Sequence, residues 1–426
     1  MHYPSTSSSE LREVEAKLDT NYEKIRKAGL SLDLTRGKPS PEQLDLSNGL
    51  DGALKGFYLL QNGMDVRNYG GILGIPEARA LGAEILGTAP DETMAGGNSS
   101  LTLMFHYIDH MFTHRPDSWA AESEAADDNI KFLCPVPGYD RHFTICEQFN
   151  IEMIAVPMSE SGPDMDSVEG LLRDDPLIKG IWCVPQYSNP TGITFTDDVV
   201  KRMAAVPNLA GQNFRIMWDN AYAVHHLADT PDTLLSLMDE CRHKGTTNNV
   251  VTFGSTSKVT FAGAGIAFLG TSPSNLAEFE HYLSTLTIGF DKVNQLRHVR
   301  FLKDMDHVRA HMDKHKSIIK PKFDLVDDML HDGLGDKGIA EWTQPRGGYF
   351  VSLDTLPGLA SRVVQLANDV GVKLTPAGAT FPYGVDPNDT NIRIAPTFPS
   401  LQELQQALQV LVLCIELASV RHLLDG

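Results

Sequence analysis

From about residue 75 to 290, short apolar runs alternate with longer stretches of helical period. The runs lie at 130–134, 151–156, 180–184, 214–218, 250–253 and 265–269. Apart from Lys131, Glu152, Arg215 and Thr252 they are apolar at consecutive positions rather than at every second one, the pattern of strands covered on both faces. Helical stretches between them predict a mostly parallel sheet with helices on both sides.

Outside this region the pattern changes. Residues 9–29 place Leu11, Val14, Leu18 and Ile25 among charged side chains, which predicts an N-terminal helix ending near Gly29. Residues 33–49, with Gly37, Pro39 and Pro41, predict an extended loop. A long helix is expected over roughly 292–320, broken at Pro321, with a further helix to about Leu330. Residues 342–353 read as strands around the Gly347-Gly348 turn. Helices near 358–370 and 400–423 flank a strand at 391–394. The small, acidic segment 120–129 reads as a surface loop. The expected fold is α/β: a large, mostly parallel sheet domain at 50–295, and a smaller α+β domain built from 1–49 and 296–426.

Composition narrows the function classes. A chain of 426 residues has room for two or three domains. With 42% apolar and 21% charged residues it is an ordinary globular sequence. A net charge of −19 argues against a nucleic-acid or anionic-membrane binder, which needs a cationic face. The cysteines (Cys134, Cys146, Cys183, Cys241, Cys414) are scattered and form no CxxC pair, which fits a reducing cytoplasm and no metal site. The N-terminus carries no apolar signal-like segment, and no uninterrupted apolar run approaches membrane-spanning length, so no membrane span is expected.

The candidate chemistry begins at Lys258, in Gly254-Ser255-Thr256-Ser257-Lys258, just after the run at 250–253. A lysine at the end of a buried strand can form a Schiff base with an aldehyde, and the hydroxyls of Ser255 and Ser257 can hold a phosphate. Aldehyde plus phosphate describes pyridoxal 5'-phosphate (PLP). Such a cofactor does the organic chemistry, while the protein must bind, orient and tune it.

Other positions supply those tasks in a consistent order. Asp219 ends the run at 214–218, where a carboxylate could keep a pyridine nitrogen protonated; ligands of parallel sheets gather at strand carboxyl ends. The alternative is that Asp219 caps a helix starting at Asn220. Tyr222 could reach the phenolic oxygen of the cofactor. Tyr139, in Pro137-Gly138-Tyr139, could stack on the ring, or simply pack at the surface. Gly96-Gly97-Asn98-Ser99-Ser100 precedes an apolar helix, offering free N–H groups and a favourable dipole to an anion, or a simple N-cap. Asn189, in Ser188-Asn189-Pro190-Thr191-Gly192, could donate to the phenolic oxygen, although a plain turn also explains that segment. Arg393, flanked by Ile392 and Ile394, is costly in an apolar strand unless paired, and guanidinium suits a substrate α-carboxylate.

These residues, in this order, resemble the class I aminotransferases of the fold-type I PLP-dependent family, over nearly the whole chain from about Leu34 to Arg393. The resemblance implies the PLP-dependent transferase fold and PLP as cofactor. It makes Lys258 the lysine that carries the cofactor, and assigns Asp219 to the pyridine nitrogen. Tyr222 and Asn189 would flank the phenolic oxygen, Tyr139 would stack on the ring, and Arg393 would bind the α-carboxylate. Asn98, Ser99, Ser100, Ser255 and Ser257 complete the expected cofactor site. Tyr69, in Asn68-Tyr69-Gly70-Gly71, looks like the tyrosine that reaches the phosphate of a neighbouring subunit, which implies a homodimer with shared active sites. Gly37, in Thr35-Arg36-Gly37-Lys38-Pro39, looks like the N-terminal segment that closes over substrate. The runs Leu-Asp-Leu-Thr-Arg-Gly-Lys-Pro and Ser-Thr-Ser-Lys-Val-Thr-Phe-Ala-Gly-Ala-Gly resemble a bacterial aspartate aminotransferase subgroup related to the aminotransferase-like domains of MocR-type regulators.

The expected reaction is amino-group transfer between L-aspartate and 2-oxoglutarate by a ping-pong route, with Lys258 moving the proton. Alternatives are another PLP reaction or another substrate, aromatic or aminoadipate-like, and a non-catalytic PLP-binding regulator. One departure stands out. Most class I enzymes place an arginine eight residues after the lysine, to neutralise the phosphate; here that position is Ile266. Lys292, Arg297, Arg141 and Arg36 are the candidates for a substrate side-chain carboxylate.

Overall fold

A computed structural model describes residues 1–113 and 117–425. Its strands, in chain order, are β1 (Leu32–Asp33), β2 (Thr93–Ala95), β3 (Lys131–Val136), β4 (Glu152–Ser159), β5 (Gly162–Pro163), β6 (Ile178–Cys183) and β7 (Arg215–Asp219). They continue with β8 (Val250–Ser255), β9 (Ala267–Thr271), β10 (Ala340–Trp342), β11 (Val351–Thr355), β12 (Val372–Lys373) and β13 (Asn391–Ile394).

The expected α/β architecture is present. An eight-stranded sheet runs in the order β2-β9-β8-β7-β6-β3-β4-β5. Its centre, from β8 through β7, β6 and β3 to β4, is parallel; antiparallel pairing is confined to β2–β9, β9–β8 and β4–β5. Alternate side chains of the central strands enter two separate cores, which is why most consecutive positions of the runs are apolar. Phe132, Cys134, Met217 and Phe253 pack on one face with Leu103, Tyr107 and Phe279 from helices Ser100–Thr113 and Pro273–Leu283. Leu133, Ile216 and Trp218 pack on the other with Val168, Val199 and Met238 from helices Met165–Asp174, Asp197–Ala205 and Leu237–Lys244. By that alternation Asp219 leaves β7 on the side of Met217, opposite Trp218.

A second, antiparallel sheet has the order β10-β11-β13, and β1 pairs with β12 in parallel. The β1–β12 pair ties the N-terminal segment to the C-terminal third of the chain. It requires glycine at 371: φ is +86°, and a Cβ there would lie 1.9 Å from the Leu30 carbonyl oxygen. The N-terminal helix, Ser8–Ala28, ends at left-handed Gly29 as expected. It lies against the C-terminal helix, Leu401–Asp425. That last helix is long and apolar enough to cross a membrane by length and composition. Leu404, Leu408, Leu411 and Ile415 are fully buried in the core, which accounts for its apolarity.

Three local expectations are corrected. Residues 33–49 are not all loop: Pro41–Asp45 forms a short helix, with Pro41 in its first turn and Gln43 reaching back to the Ser40 N–H at 3.1 Å. Residues 120–129 include most of a helix, Trp119–Ala126, capped by Ser118 and anchored by Trp119 against Phe132. The break expected at Pro321 falls earlier. One helix, Lys292–Leu302, stops at left-handed Lys303, and the next, Met305–Leu334, starts at the Asp304 cap and runs through Pro321. Proline removes one helical hydrogen bond. The burial of Ile319, Phe323, Val326 and Leu330 against the C-terminal helix outweighs that loss.

Candidate active site

At the carboxyl ends of β7 and β8, Lys258 and Asp219 converge. Asp219 is the last residue of β7, and residues 221–224 beyond it form a turn rather than a helix, so Asp219 is not a helix cap. The Lys258 Nζ lies 5.1 Å from the centroid of the Tyr222 ring and 5.8 Å from that of Tyr349. Those two rings are stacked, with centroids 6.0 Å apart. Burial of the ammonium pulls the lysine pKa below its ordinary value, and the Asp219 charge opposes this. An amine so placed is closer to the neutral form that a proton acceptor needs. Burial holds the Tyr222 phenol far above its usual range, with Tyr139 and Asp219 adding to the effect.

Asp219 is 2% exposed. Its Oδ2 accepts from His142 Nε2 at 3.1 Å, and the imidazole of His142 lies flat on Trp182, centroids 4.2 Å apart and planes 8° from parallel. The other oxygen, Oδ1, is buried without a hydrogen-bond partner. A buried carboxylate oxygen left unmatched is costly, and a protonated ring nitrogen is a donor that would satisfy it. Tyr139 stands edge-on to His142 at 5.0 Å, close enough to Asp219 for the carboxylate to help raise its pKa, after burial.

Beside this pair, the end of β8 and the loop after it deliver two hydroxyls. Ser255 Oγ donates to Ser257 Oγ at 3.1 Å, and Ser257 Oγ donates to the Asn98 carbonyl at 3.1 Å. Asn98 and Ser99 precede the helix that begins at Ser100, so hydroxyls and free helix N–H groups share one corner. Ile266 faces away. It is fully buried with Ala95, Phe268 and Leu296, and its N–H donates to Thr256 Oγ1 at 2.9 Å.

Arg393, on β13, reaches the same cleft. One guanidinium nitrogen donates to Asp140 Oδ1 at 3.0 Å and to Asn189 Oδ1 at 3.3 Å, while its buried Nε has no partner. The group lies over the Phe350 ring, with Cζ 4.9 Å from the centroid. Gly37 touches the same ring, since a Cβ at that position would come within 2.4 Å of it.

The aspartate amino-transferase family pattern matches residues 6–426. An aspartate aminotransferase of Corynebacterium glutamicum is 42% identical over 99% of this chain and 99% of its own. The chain belongs to the aspartate aminotransferase family. The crystal structure of an aspartate transaminase from C. glutamicum superposes with a TM-score of 0.94 at 42% identity, covering 99% of both chains. A putative aminotransferase of Mycolicibacterium smegmatis is 49% identical over 100% of this chain and 99% of its own length. The fold is that of the fold-type I aminotransferases, and the chain is an aminotransferase.

Within this aminotransferase, Lys258, Asp219, Tyr222 and Tyr139 form one cluster, the Asn98–Ser100 segment meets Ser255–Ser257 beside Lys258, and Arg393 and Asn189 make direct contact. Tyr69 stands apart from all of them. It is 85% exposed, on a loop fixed by the buried Lys292, whose Nζ donates to the carbonyls of Asn68 at 2.8 Å and Gly70 at 2.5 Å. Lys292 is therefore engaged with backbone oxygens. Of the other cations considered for a second carboxylate, Arg297 donates to Asn294 Oδ1 at 2.7 Å, and Arg36 and Arg141 are exposed. Sequence reading missed His142 and Tyr349. His142 lies three residues after Tyr139 on the helix Asp140–Gln148, so its proximity to Asp219 was invisible without the pairing of strands. The Gly347-Gly348 turn was the available signal for Tyr349. A Cβ at either glycine would press on Tyr187, so the backbone passes close there on its way to Tyr349.

Proposed function

We propose that this aminotransferase is PLP-dependent and moves an amino group between L-aspartate and 2-oxoglutarate. The observation that carries the reading is a desolvated Lys258 amine beside a buried Asp219 carboxylate with one oxygen unmatched. When bound, the cofactor supplies an aldehyde for the lysine amine and a cationic ring that withdraws electrons from the substrate. Asp219, oriented by His142, would hold the ring nitrogen protonated. Tyr139 would cover one face of the ring, and Tyr222 and Asn189 would flank its phenolic oxygen. Ser255, Ser257, Asn98, Ser99 and Ser100 would receive the phosphate at the helix N-terminus. Arg393 would exchange its Asp140 contact for the substrate α-carboxylate, using the unpartnered Nε as a second donor. Lys258, with its lowered pKa, would take the proton from the substrate α-carbon and return it on the other side of the transfer.

The aspartate preference is supported by the 42% identity to the C. glutamicum enzyme. A homodimer with shared sites is supported by the exposed Tyr69 on its fixed loop. A cytoplasmic location is supported by free, buried cysteines throughout. The division into residues 50–295, and 1–49 with 296–426, is supported by the confinement of the eight-stranded sheet to 93–271 and of the three-stranded one to 340–394. The test is a substrate panel on PLP-saturated protein: aspartate, aminoadipate and aromatic amino acids, each with 2-oxoglutarate. The highest kcat/KM is expected for aspartate; a higher value for another donor overturns the assignment.

A further inference from the structure

Beneath Lys258, three separate parts of the chain meet in a buried polar chain that the cofactor site does not use. Gln43 comes from the short helix Pro41–Asp45, Tyr349 from the segment before β11, and His311 and His315 from the helix Met305–Leu334. All are almost fully buried. They end on the carbonyl groups of Lys258 and Val259, the backbone on which the lysine side chain is mounted.

The donors and acceptors can be assigned by elimination. The Ser40 N–H donates to Gln43 Oε1 at 3.1 Å, which fixes the amide orientation. Gln43 Nε2 then donates to Tyr349 Oη at 2.9 Å and to His315 Nδ1 at 3.1 Å. With its oxygen accepting from Gln43, Tyr349 directs its own proton at the Lys258 carbonyl over a long 3.5 Å, and His225 Nε2 approaches that carbonyl at 3.3 Å. His311 Nε2 donates to the Val259 carbonyl at 2.8 Å. His315 Nε2 lies 3.2 Å from His311 Nε2 and bears on the same carbonyl. Because His315 Nδ1 must accept, the neutral ring carries its proton on Nε2, facing Val259. Burial favours that neutral form, pushing the His315 pKa down to about 4.

Apart from His311 Nε2, which also lies 3.3 Å from Ser47 Oγ, the donors of this chain point from the N-terminal segment toward the lysine loop. We propose that Gln43, His311 and His315, with Tyr349, are positioning residues for Lys258: they fix the backbone of 258–259 so that the amine stays beside the Tyr222 and Tyr349 rings. This rests on Lys258 being the residue that bonds the cofactor. Gln43 acts at a distance, through Tyr349 and His315.

The test compares Gln43→Leu and His315→Gln with the parent protein, all loaded with PLP. His315→Gln keeps an N–H for Val259 and serves as the conservative variant. Loss of the two Gln43 donors should lower kcat about tenfold, the scale of one buried hydrogen bond. KM values for both substrates should stay within twofold. The pH midpoint of the visible absorbance of the loaded protein should move, and PLP affinity should weaken; His315→Gln should show smaller changes in the same direction. Unchanged kcat, midpoint and affinity in Gln43→Leu, or a change confined to KM, would overturn the proposal. If Gln43→Leu does not fold, Tyr349→Phe, which deletes one oxygen and keeps the ring, is held to the same criteria. Borohydride trapping followed by peptide mapping separates the two levels. A label away from Lys258 overturns the underlying reading; a label on Lys258 with unmoved variants overturns only the positioning role.

Discussion

Asp219 presents one carboxylate oxygen to His142 at 3.1 Å and keeps the other buried and unmatched. The carboxylate is therefore held at one end and open at the other. In Asp219→Asn the contact with His142 can persist, but the negative charge is gone. Activity should fall about a hundredfold or more, the range for removing one preorganised electrostatic partner. The thermal midpoint should stay near that of the parent. Unfolding of the variant, measured by circular dichroism, would assign Asp219 a structural role instead.

Arg393→Lys keeps the positive charge and loses the planar fork. A lysine cannot replace both the nitrogen facing Asn189 and the free Nε. The expected loss in kcat/KM for amino donors is about 10- to 100-fold, the worth of one charged hydrogen bond. Substrates without a carboxylate should be affected less, which steady-state kinetics on an amine such as benzylamine would check.

Much of this was readable in the chain. Strands β3, β6, β7, β8 and β9 are legible because both their faces are buried, leaving little polar alternation to confuse them with other elements, whereas β4 lies near the sheet edge with Ala155 and Pro157 exposed. Lys258 and Asp219 were visible because each closes such a run. The segment 120–129 reads as a loop because a single buried anchor just before it, Trp119, decides that a helix forms, and one residue makes no periodicity. Pro321 was misread because the packing that overrides it comes from residues some eighty positions away in the C-terminal helix. Gln43, His311 and His315 carried no sequence signal at all; only the tertiary fold unites them.

Stability should respond to acid through buried histidines. Burial pushes the pKa of His225 from 6.5 down to about 3, and those of His298 and His315 to about 4. Between these values and 6.5 the unfolded chain binds more protons than the folded one, so stability is full above about pH 6.5 and drains away as pH falls toward 4. Each histidine contributes a slope of at most about 1.4 kcal/mol per pH unit. His298→Asn, which keeps a donor near the Asn294 carbonyl, should flatten the fall; this is measured as the thermal midpoint of parent and variant across that range.

Ile266→Arg would restore the cation found at this position in most class I enzymes, yet it should not improve cofactor binding. Its side chain enters a fully buried apolar cluster with Ala95, Phe268 and Leu296. An unpaired charge there costs several kcal/mol. The variant should be markedly less stable to urea, with PLP affinity no tighter than the parent's.

Lys292 anchors the Tyr69 loop from within its own subunit. A loop already shaped by a buried ammonium has little freedom left to surrender in the homodimer we propose. Assembly would then resemble the docking of two finished parts more than a folding event, and the entropic toll of ordering Tyr69 would fall on each monomer as it folds.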